Sequence, residues 1–505
     1  MSKQLPKLHH GISTDMQDTW GNECPPSDSG RRSIQGSQRG VFSSPRGTAL
    51  AIALCAFAPI VVIGIVQWIL FKDTTLGRFV LSKGLDISKI SSLISSLRET
   101  ATVLEHMATL APFSSDDSWK PMHMALQVLG GAKKDVLYET LFFGDGVRFQ
   151  YPPSSLFPLD LLTRMGLGNA IYLNRLNEAL FLINALSMAF IAHLFASRLP
   201  RPFSSAGKRQ ALWAAPMIAF VATFLFYPAI RAVVLGQIQV WIDLLFTLTC
   251  IAWVYGRKAL AGAMIGACCA IKPQFALLLL WALVWREWIF ATGVMVVAVP
   301  IALLSVAAYG LHNSIAYLDV LSFLSRHGES FFANNSVNGI INRYLGNGNN
   351  CRWEPFQFVP FNPVVYGGTI CASVLAVAAI IAPALLRRGN ATIFDFGAAV
   401  LLSVMGSPIA WEHHYGVMLP LYLFLLLSIL SEPASQSRSW RLVALACSWF
   451  LSANLLSFTY LLADTRLNFL EANLFFGGLM LLPLLFIQAR RSTRLLARIE
   501  GGLPP

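Results

Sequence analysis

The chain has 505 residues, of which 55% are hydrophobic and only 13% charged, with a formal net charge of +12. A soluble chain carries about a quarter charged residues, so the composition excludes a soluble globular protein. The positive balance does not imply a nucleic-acid partner either, because the basic residues sit in short segments between apolar runs, as the positive-inside rule expects.

In chain order, residues 1–48 are rich in Ser, Gly and Pro, carry Arg31, Arg32, Arg39 and Arg46, and lack the apolar stretch and cleavage site of a signal peptide. They read as a disordered cytoplasmic tail. A first span is expected at 49–71, followed by a long outer segment at 72–170. Within that segment Ile87, Ile90, Ile94, Leu97, Ala101, Leu104 and Ala108 recur every three or four residues, with Lys89, Arg98, Glu99 and Glu105 off the stripe. The pattern predicts an amphipathic helix, lying along the outer membrane surface or packed on other loop helices. Residues 153–166 are apolar but read as re-entrant or interfacial, because a full crossing there would break the parity of the map.

Further spans are expected near 171–196, 212–230, 236–256, 259–271, 273–286 and 288–310. A second outer segment covers 311–363, and the remaining spans fall near 364–386, 391–406, 415–431, 441–461 and 470–488. Most approach the roughly 20 residues that about 30 Å of hydrocarbon requires of a helix. None shows the two-residue alternation of a β-barrel strand. The fold class is therefore all-α, a polytopic helical bundle of about 10–12 spans with outer-surface helices, occupying 49–488 and closed by a basic cytoplasmic tail at 489–505. Arg198, Arg201, Lys208 and Arg209, then Arg257 and Lys258, Arg387 and Arg388, and Arg490, Arg491, Arg494 and Arg498 all fall on one side of this map. Both termini are then cytoplasmic, and no internal repeat is evident. Of eight cysteines, Cys55, Cys250, Cys268, Cys269, Cys371 and Cys447 sit in apolar spans, where Cys acts as a small hydrophobe. No pair has zinc-ligand spacing, so neither a metal nor another cofactor is expected.

Ionisable residues in or beside a span are costly and are functional candidates for that reason. Four places qualify. Asp116 and Asp117, with Trp119, open a helix through Ala125 to Leu129. Tyr151-Pro152-Pro153 precedes an apolar run. Gly236-Gln237 is followed by Ile271-Lys272-Pro273. Asn335-Ser336 and Arg343 in the second outer segment join Trp411-Glu412-His413-His414 at the outer end of the ninth span.

The segments YPPSSLFPL, LGQIQV followed by GRKALAGAMIGACCAIKP, NNSVNGIINR, and SPIAWEHHYGVMLP resemble glycosyltransferase family 87, in the same order from about residue 116 to about 430. The resemblance implies a GT-C fold, an active site at the outer leaflet, and a polyprenyl-phosphate sugar donor. It also implies an acidic catalytic residue in the first outer segment. The family pattern places an Asp about eight residues before an Ala, then a Gly and a Tyr. Asp117, Ala125, Gly130, Gly131 and Tyr138 match it, with Asp116 an adjacent rival. The sequence departs from that pattern at Trp119-Lys120-Pro121, where the family shows an aromatic directly after the Asp, and in a longer stretch before the Asp.

The chemistry agrees. A sugar hydroxyl attacks poorly unless a carboxylate takes its proton, and a lipid phosphate leaving near low dielectric needs positive groups and oriented donors. Lys272, Arg343, His413 and His414 are candidates for that second task, with Glu412, Tyr151, Gln237 and Asn335 as further substrate contacts. Blander roles stand beside these: Lys272 snorkelling to an interface, Arg343 paired with Glu354, a histidine bonded to backbone, Glu412 orienting His413 or solvated. Asp145 in Gly-Asp-Gly reads as turn chemistry, and Asp243 as hydrogen-bonded within the bundle or touching substrate.

The expected function is transfer of a sugar with inversion, mannose first and arabinofuranose second. The partners are a polyprenyl-phosphate-linked donor, a glycolipid or polysaccharide acceptor and membrane lipids, at the outer face of the bacterial inner membrane. A transporter or lipid flippase is the alternative, but it would place its charged residues along a path at the bilayer midplane.

Overall fold

The computed structural model describes residues 87–109, 115–198, 205–387, 389–432 and 435–491. The span expected at 49–71, the tail 1–48 and the end of the basic tail lie outside the described residues. The chain is all-α: among the described residues its one β feature is an isolated bridge between Asn334 and Trp411.

Five helices are long and apolar enough to cross a bilayer: Ala170–Ser197, Trp288–Tyr309, Pro363–Leu386, Glu412–Leu430 and Asn473–Arg491. A sixth is added if Leu212–Phe224 and Tyr227–Val234 count as one span, bent by 51°. The bend follows from Phe226, whose extended backbone precedes Pro228 in the new first turn. The shorter apolar helices Gln239–Val254, Lys258–Ile271, Pro273–Val284 and Ile393–Met405 fill the bundle. The segment at 153–166 is a 3-10 turn, Pro153–Leu156, followed by the eight-residue helix Phe157–Arg164, too short to cross. The helix expected over 441–461 instead runs Gln436–Ser452 and stops, because the chain turns back through 3-10 segments Ser457–Leu462 and Asn468–Glu471.

Packing is that of a membrane bundle. Helix Pro363–Leu386 exposes Val374, Leu375, Leu385 and Leu386, while Trp253, Trp281, Phe290 and Phe396 form a buried aromatic centre. Trp253 stacks on Phe396 at 5.3 Å with an interplanar angle of 3°. Helices Lys258–Ile271 and Trp288–Tyr309 cross so closely that a Cβ on Gly262 would stand 2.1 Å from the Phe290 carbonyl oxygen. Small residues at such crossings bring backbones together where no water-driven hydrophobic effect acts between helices.

The amphipathic helix Ile87–Thr109 packs on the bundle, but not through the expected stripe. Thr100 and Val103 are its buried residues, whereas Ala101, Leu104 and Ala108 are exposed. Polar bonds set this rotation. The Thr100 hydroxyl donates to the Phe224 carbonyl at 2.9 Å, and Glu99 pairs with Arg231 at 2.7 Å.

Candidate functional site

A cavity of about 1300 Å³ lies where these helices and loops converge, lined by Asp117, Tyr151, Gln237, Lys272, Glu412, His413 and His414 among others. Seven of the ten candidate residues thus meet in one space, although up to about 300 residues of chain separate them. Asp116, Asn335 and Arg343 are not among its lining residues.

Asp117 does not lie on a helix; it sits in the turn just before helix Trp119–Leu129. Its backbone N–H donates to the Leu235 carbonyl at 3.1 Å, which docks the turn on the loop Leu235-Gly236-Gln237. Gly236 is needed there twice over. Its φ is +64°, and a Cβ would stand 2.5 Å from the Ser115 carbonyl oxygen and 2.8 Å from Asn174 Oδ1. Asn174 closes the clamp by donating to that same Ser115 oxygen at 2.7 Å and accepting the Trp119 indole N–H at 3.2 Å.

The orientation of Gln237 follows from its partners. The Ile238 N–H donates to Ser118 Oγ at 3.1 Å, so the Ser118 hydroxyl is free to donate to Gln237 Oε1, at 2.7 Å. The Tyr151 hydroxyl donates to the same oxygen at 3.2 Å. With Oε1 thus occupied, the amide N–H of Gln237 is directed at Asp117 Oδ2, to which it donates. Asp117 is exposed and lines the cavity, yet protein surrounds its carboxylate. That desolvation is the largest influence and holds its pKa above the usual carboxylate range, against the opposing Gln237 bond and the Arg231 charge. Asp116, its neighbour, turns its carbonyl to the Lys120 N–H and begins the helix.

The opposite wall comes from Trp411 to His414. The Asn335 N–H donates to the Ala410 carbonyl at 2.8 Å, the Glu412 N–H to the Ala333 carbonyl at 3.1 Å, and the Ala410 N–H to Asn334 Oδ1 at 2.9 Å. Asn335 therefore holds this wall in place: its side-chain oxygen accepts the Leu474 N–H at 3.2 Å. Glu412 neither orients His413 nor is solvated. It is buried, accepts the Tyr227 hydroxyl at 2.8 Å and faces Arg231 at 3.8 Å. Both histidines are buried, with ring centroids 4.7 Å apart, and His413 Nε2 and His414 Nδ1 have no hydrogen-bond partner among the described residues.

Four cations line the cavity: Arg148, Arg231, Lys272 and Arg352. Arg148 is committed to the fold, bonded to Glu329 at 2.5 Å and to the carbonyls of Glu354, Pro355 and Gln357, with Trp353 and Phe358 against its guanidinium. Arg231 pairs with Glu99. Lys272 does not snorkel: its ammonium is buried and donates to Gln239 Oε1 at 2.6 Å. Gln239 in turn donates to Asp243 at 2.8 Å, so Asp243 bonds within the bundle. Arg343 pairs not with Glu354 but with Glu471, at 3.5 Å, and donates to the Asn334 carbonyl at 3.0 Å. Burial lowers its pKa to about 10 and raises that of Glu471 to about 7.

Sequence reasoning passed over Arg231, Tyr227, Glu99, Ser118 and Gln239. For Arg231 the signal was there, a cation within the apolar run Tyr227–Val234. For the others it was not, since each matters only through a partner far along the chain. The lining also has an apolar part, with Leu277, Leu321, Leu324, Ala376 and Val377. The two parts together suit a ligand with an anionic head and a hydrocarbon tail.

The family model of glycosyltransferase family 87 matches residues 149–408. No curated protein and no solved structure matches the chain. The matched stretch contains Tyr151, Gln237, Lys272, Asn335 and Arg343, and it stops short of Asp117 on one side and Glu412 on the other. Hydrogen bonds join those outlying residues to it: Gln237 to Asp117, and Asn335 to Ala410 ahead of Glu412. An all-α bundle with membrane-spanning helices, a mixed polar and apolar cavity, and a family match over half its length make this chain a member of glycosyltransferase family 87.

Proposed function

We propose that the protein moves a sugar, mannose as the first choice, from a polyprenyl-phosphate donor to a hydroxyl of a glycolipid or polysaccharide acceptor. The observation that carries this reading is the Asp117 carboxylate, held by Gln237 in the same cavity as Lys272 and the apolar lining. Asp117 takes the proton of the acceptor hydroxyl as its oxygen attacks the anomeric carbon. The bond from that carbon to the phosphate oxygen breaks, the lipid phosphate leaves as a monoester, and a single displacement inverts the centre. Lys272, with His413 and His414 beside it, stabilises the charge that develops on the leaving phosphate, where low dielectric strengthens each contact. Leu277, Leu321, Leu324, Ala376 and Val377 receive the first units of the polyprenyl chain. Neither metal nor cofactor enters this scheme. The cavity faces the outer side of a bacterial inner membrane, with both termini in the cytoplasm.

The test is to supply purified protein with radiolabelled polyprenyl-phosphate-mannose and a panel of neutral and anionic glycolipid acceptors. A radiolabelled glycolipid of inverted anomeric configuration is expected. Transfer only from a nucleotide-sugar, or retention of configuration, would overturn the reading.

A further inference from the structure

Three buried side chains form a relay behind the cavity wall. The Lys272 ammonium donates to Gln239 Oε1 at 2.6 Å, and Gln239 Nε2 donates to Asp243 Oδ1 at 2.8 Å. Because ammonium can only donate, Gln239 must present its oxygen to Lys272 and its amide N–H to Asp243. The other carboxylate oxygen of Asp243 lies against Gly416, two residues after His414, where a Cβ would stand 2.1 Å from it. Helix Gln239–Val254 therefore seats a carboxylate between the segment of the histidines and the amide that holds the lysine. Among the described residues Gln239 is the one hydrogen-bond partner of the Lys272 ammonium, which leaves two of its three protons for a ligand in the cavity.

A lysine this deeply buried keeps its charge only if a counter-charge stands nearby. His413, His414 and the Cys268 thiol also face this region, and none of them offers a negative charge in its neutral form. We propose that Asp243 is a positioning residue for the donor phosphate: through Gln239 it fixes the direction of the Lys272 ammonium, and its negative charge keeps that ammonium protonated. The inference rests on the reading above, in which Lys272 meets the lipid phosphate. It assigns Gly416 a purpose as well, since any larger residue would push the carboxylate out of place.

Binding of polyprenyl phosphate to the full-length protein in nanodiscs, titrated from pH 6 to 9, tests it. Asp243→Asn keeps the shape and the hydrogen bond while removing the charge. At the acid end its affinity should stay within about twofold of wild type, while the loss of binding on the alkaline side should begin about one pH unit lower. Titration of the phosphate itself affects every variant alike and cancels in the comparison. Gly416→Ala should move the alkaline limb in the same direction. The double change Asp243→Asn with Gln239→Glu, which returns a negative charge directly beside Lys272, should restore the limb, a rescue that a purely structural role would not give. An alkaline limb unchanged in Asp243→Asn, or one the double variant fails to restore, would overturn the role of Asp243. Wild type that binds no polyprenyl phosphate at any pH would overturn the donor reading itself, and the inference with it.

Discussion

Gln237 and Asp117 are 120 positions apart in the chain, yet the amide of one donates directly to the carboxylate of the other. The bond has a fixed polarity because Ser118 and Tyr151 both donate to the Gln237 oxygen, leaving its N–H no partner but Asp117. A general base needs this arrangement. One carboxylate oxygen is held, and the group as a whole stays exposed in the cavity for an incoming hydroxyl.

Asp117→Asn should lower turnover by about 10²- to 10⁴-fold, the range for loss of a general base, with donor binding preserved. Asp116→Asn should cost less than about threefold, since what ties Asp116 to the site is its backbone carbonyl, bonded to Lys120 N–H. Steady-state rates of both variants with one labelled donor decide the matter. A dead Asp116→Asn beside an active Asp117→Asn would reverse the assignment.

The pH profile carries its own signature. Burial holds the Asp117 pKa above the usual carboxylate range, and a base must be ionised, so kcat/KM should rise with pH along a limb displaced above about pH 4. Gln237→Leu removes a bond made to the charged form, which raises the pKa again. Its acid limb should therefore move to still higher pH, along with a drop in turnover. A limb that stays at the position of a free carboxylate in both proteins would count against Asp117.

Lys272 and Arg343 entered as equal candidates for the donor phosphate, and their surroundings separate them. Lys272→Met should raise donor KM at least tenfold. Arg343→Met should leave donor KM within about twofold and act on stability, because it strands Glu471 in the protein interior, a loss of about 3–5 kcal/mol when one partner of a buried pair is removed. Glu471 already has its pKa pushed up to about 7 by burial, so at low pH the stranded group can go neutral. The melting temperature of Arg343→Met should thus fall more steeply than that of wild type as pH rises from 5 to 8. Thermal melts across that range, beside donor KM, distinguish the two residues.

Orientation in the membrane is open to chemical labelling. Lys133 and Arg257 are both exposed, in segments expected outside and inside respectively. In intact cells a membrane-impermeant thiol reagent should label Lys133→Cys and spare Arg257→Cys until the membrane is opened. The reverse pattern would turn the cavity toward the cytoplasm and remove the outer-face reading.

The sequence by itself determined the all-α membrane class, the family, and most of the residues that gather at the cavity. Those are properties of local composition: apolar runs of bilayer length, punctuated by the few polar residues that a membrane bundle tolerates only at a cost. Tertiary structure alone decided what each of those residues does. Asn335 and Arg343 look in sequence as polar as Gln237 and Lys272, but the first pair is spent on holding two loops together while the second lines the cavity. The rotation of helix Ile87–Thr109 was likewise hidden, because Glu99 and Thr100 find Arg231 and the Phe224 carbonyl more than a hundred residues away and override the apolar stripe. A hydropathy pattern records which side chains avoid water. It carries no information about which distant donor meets which acceptor, and in a bundle where nearly every side chain is apolar those few pairings fix the geometry of the site.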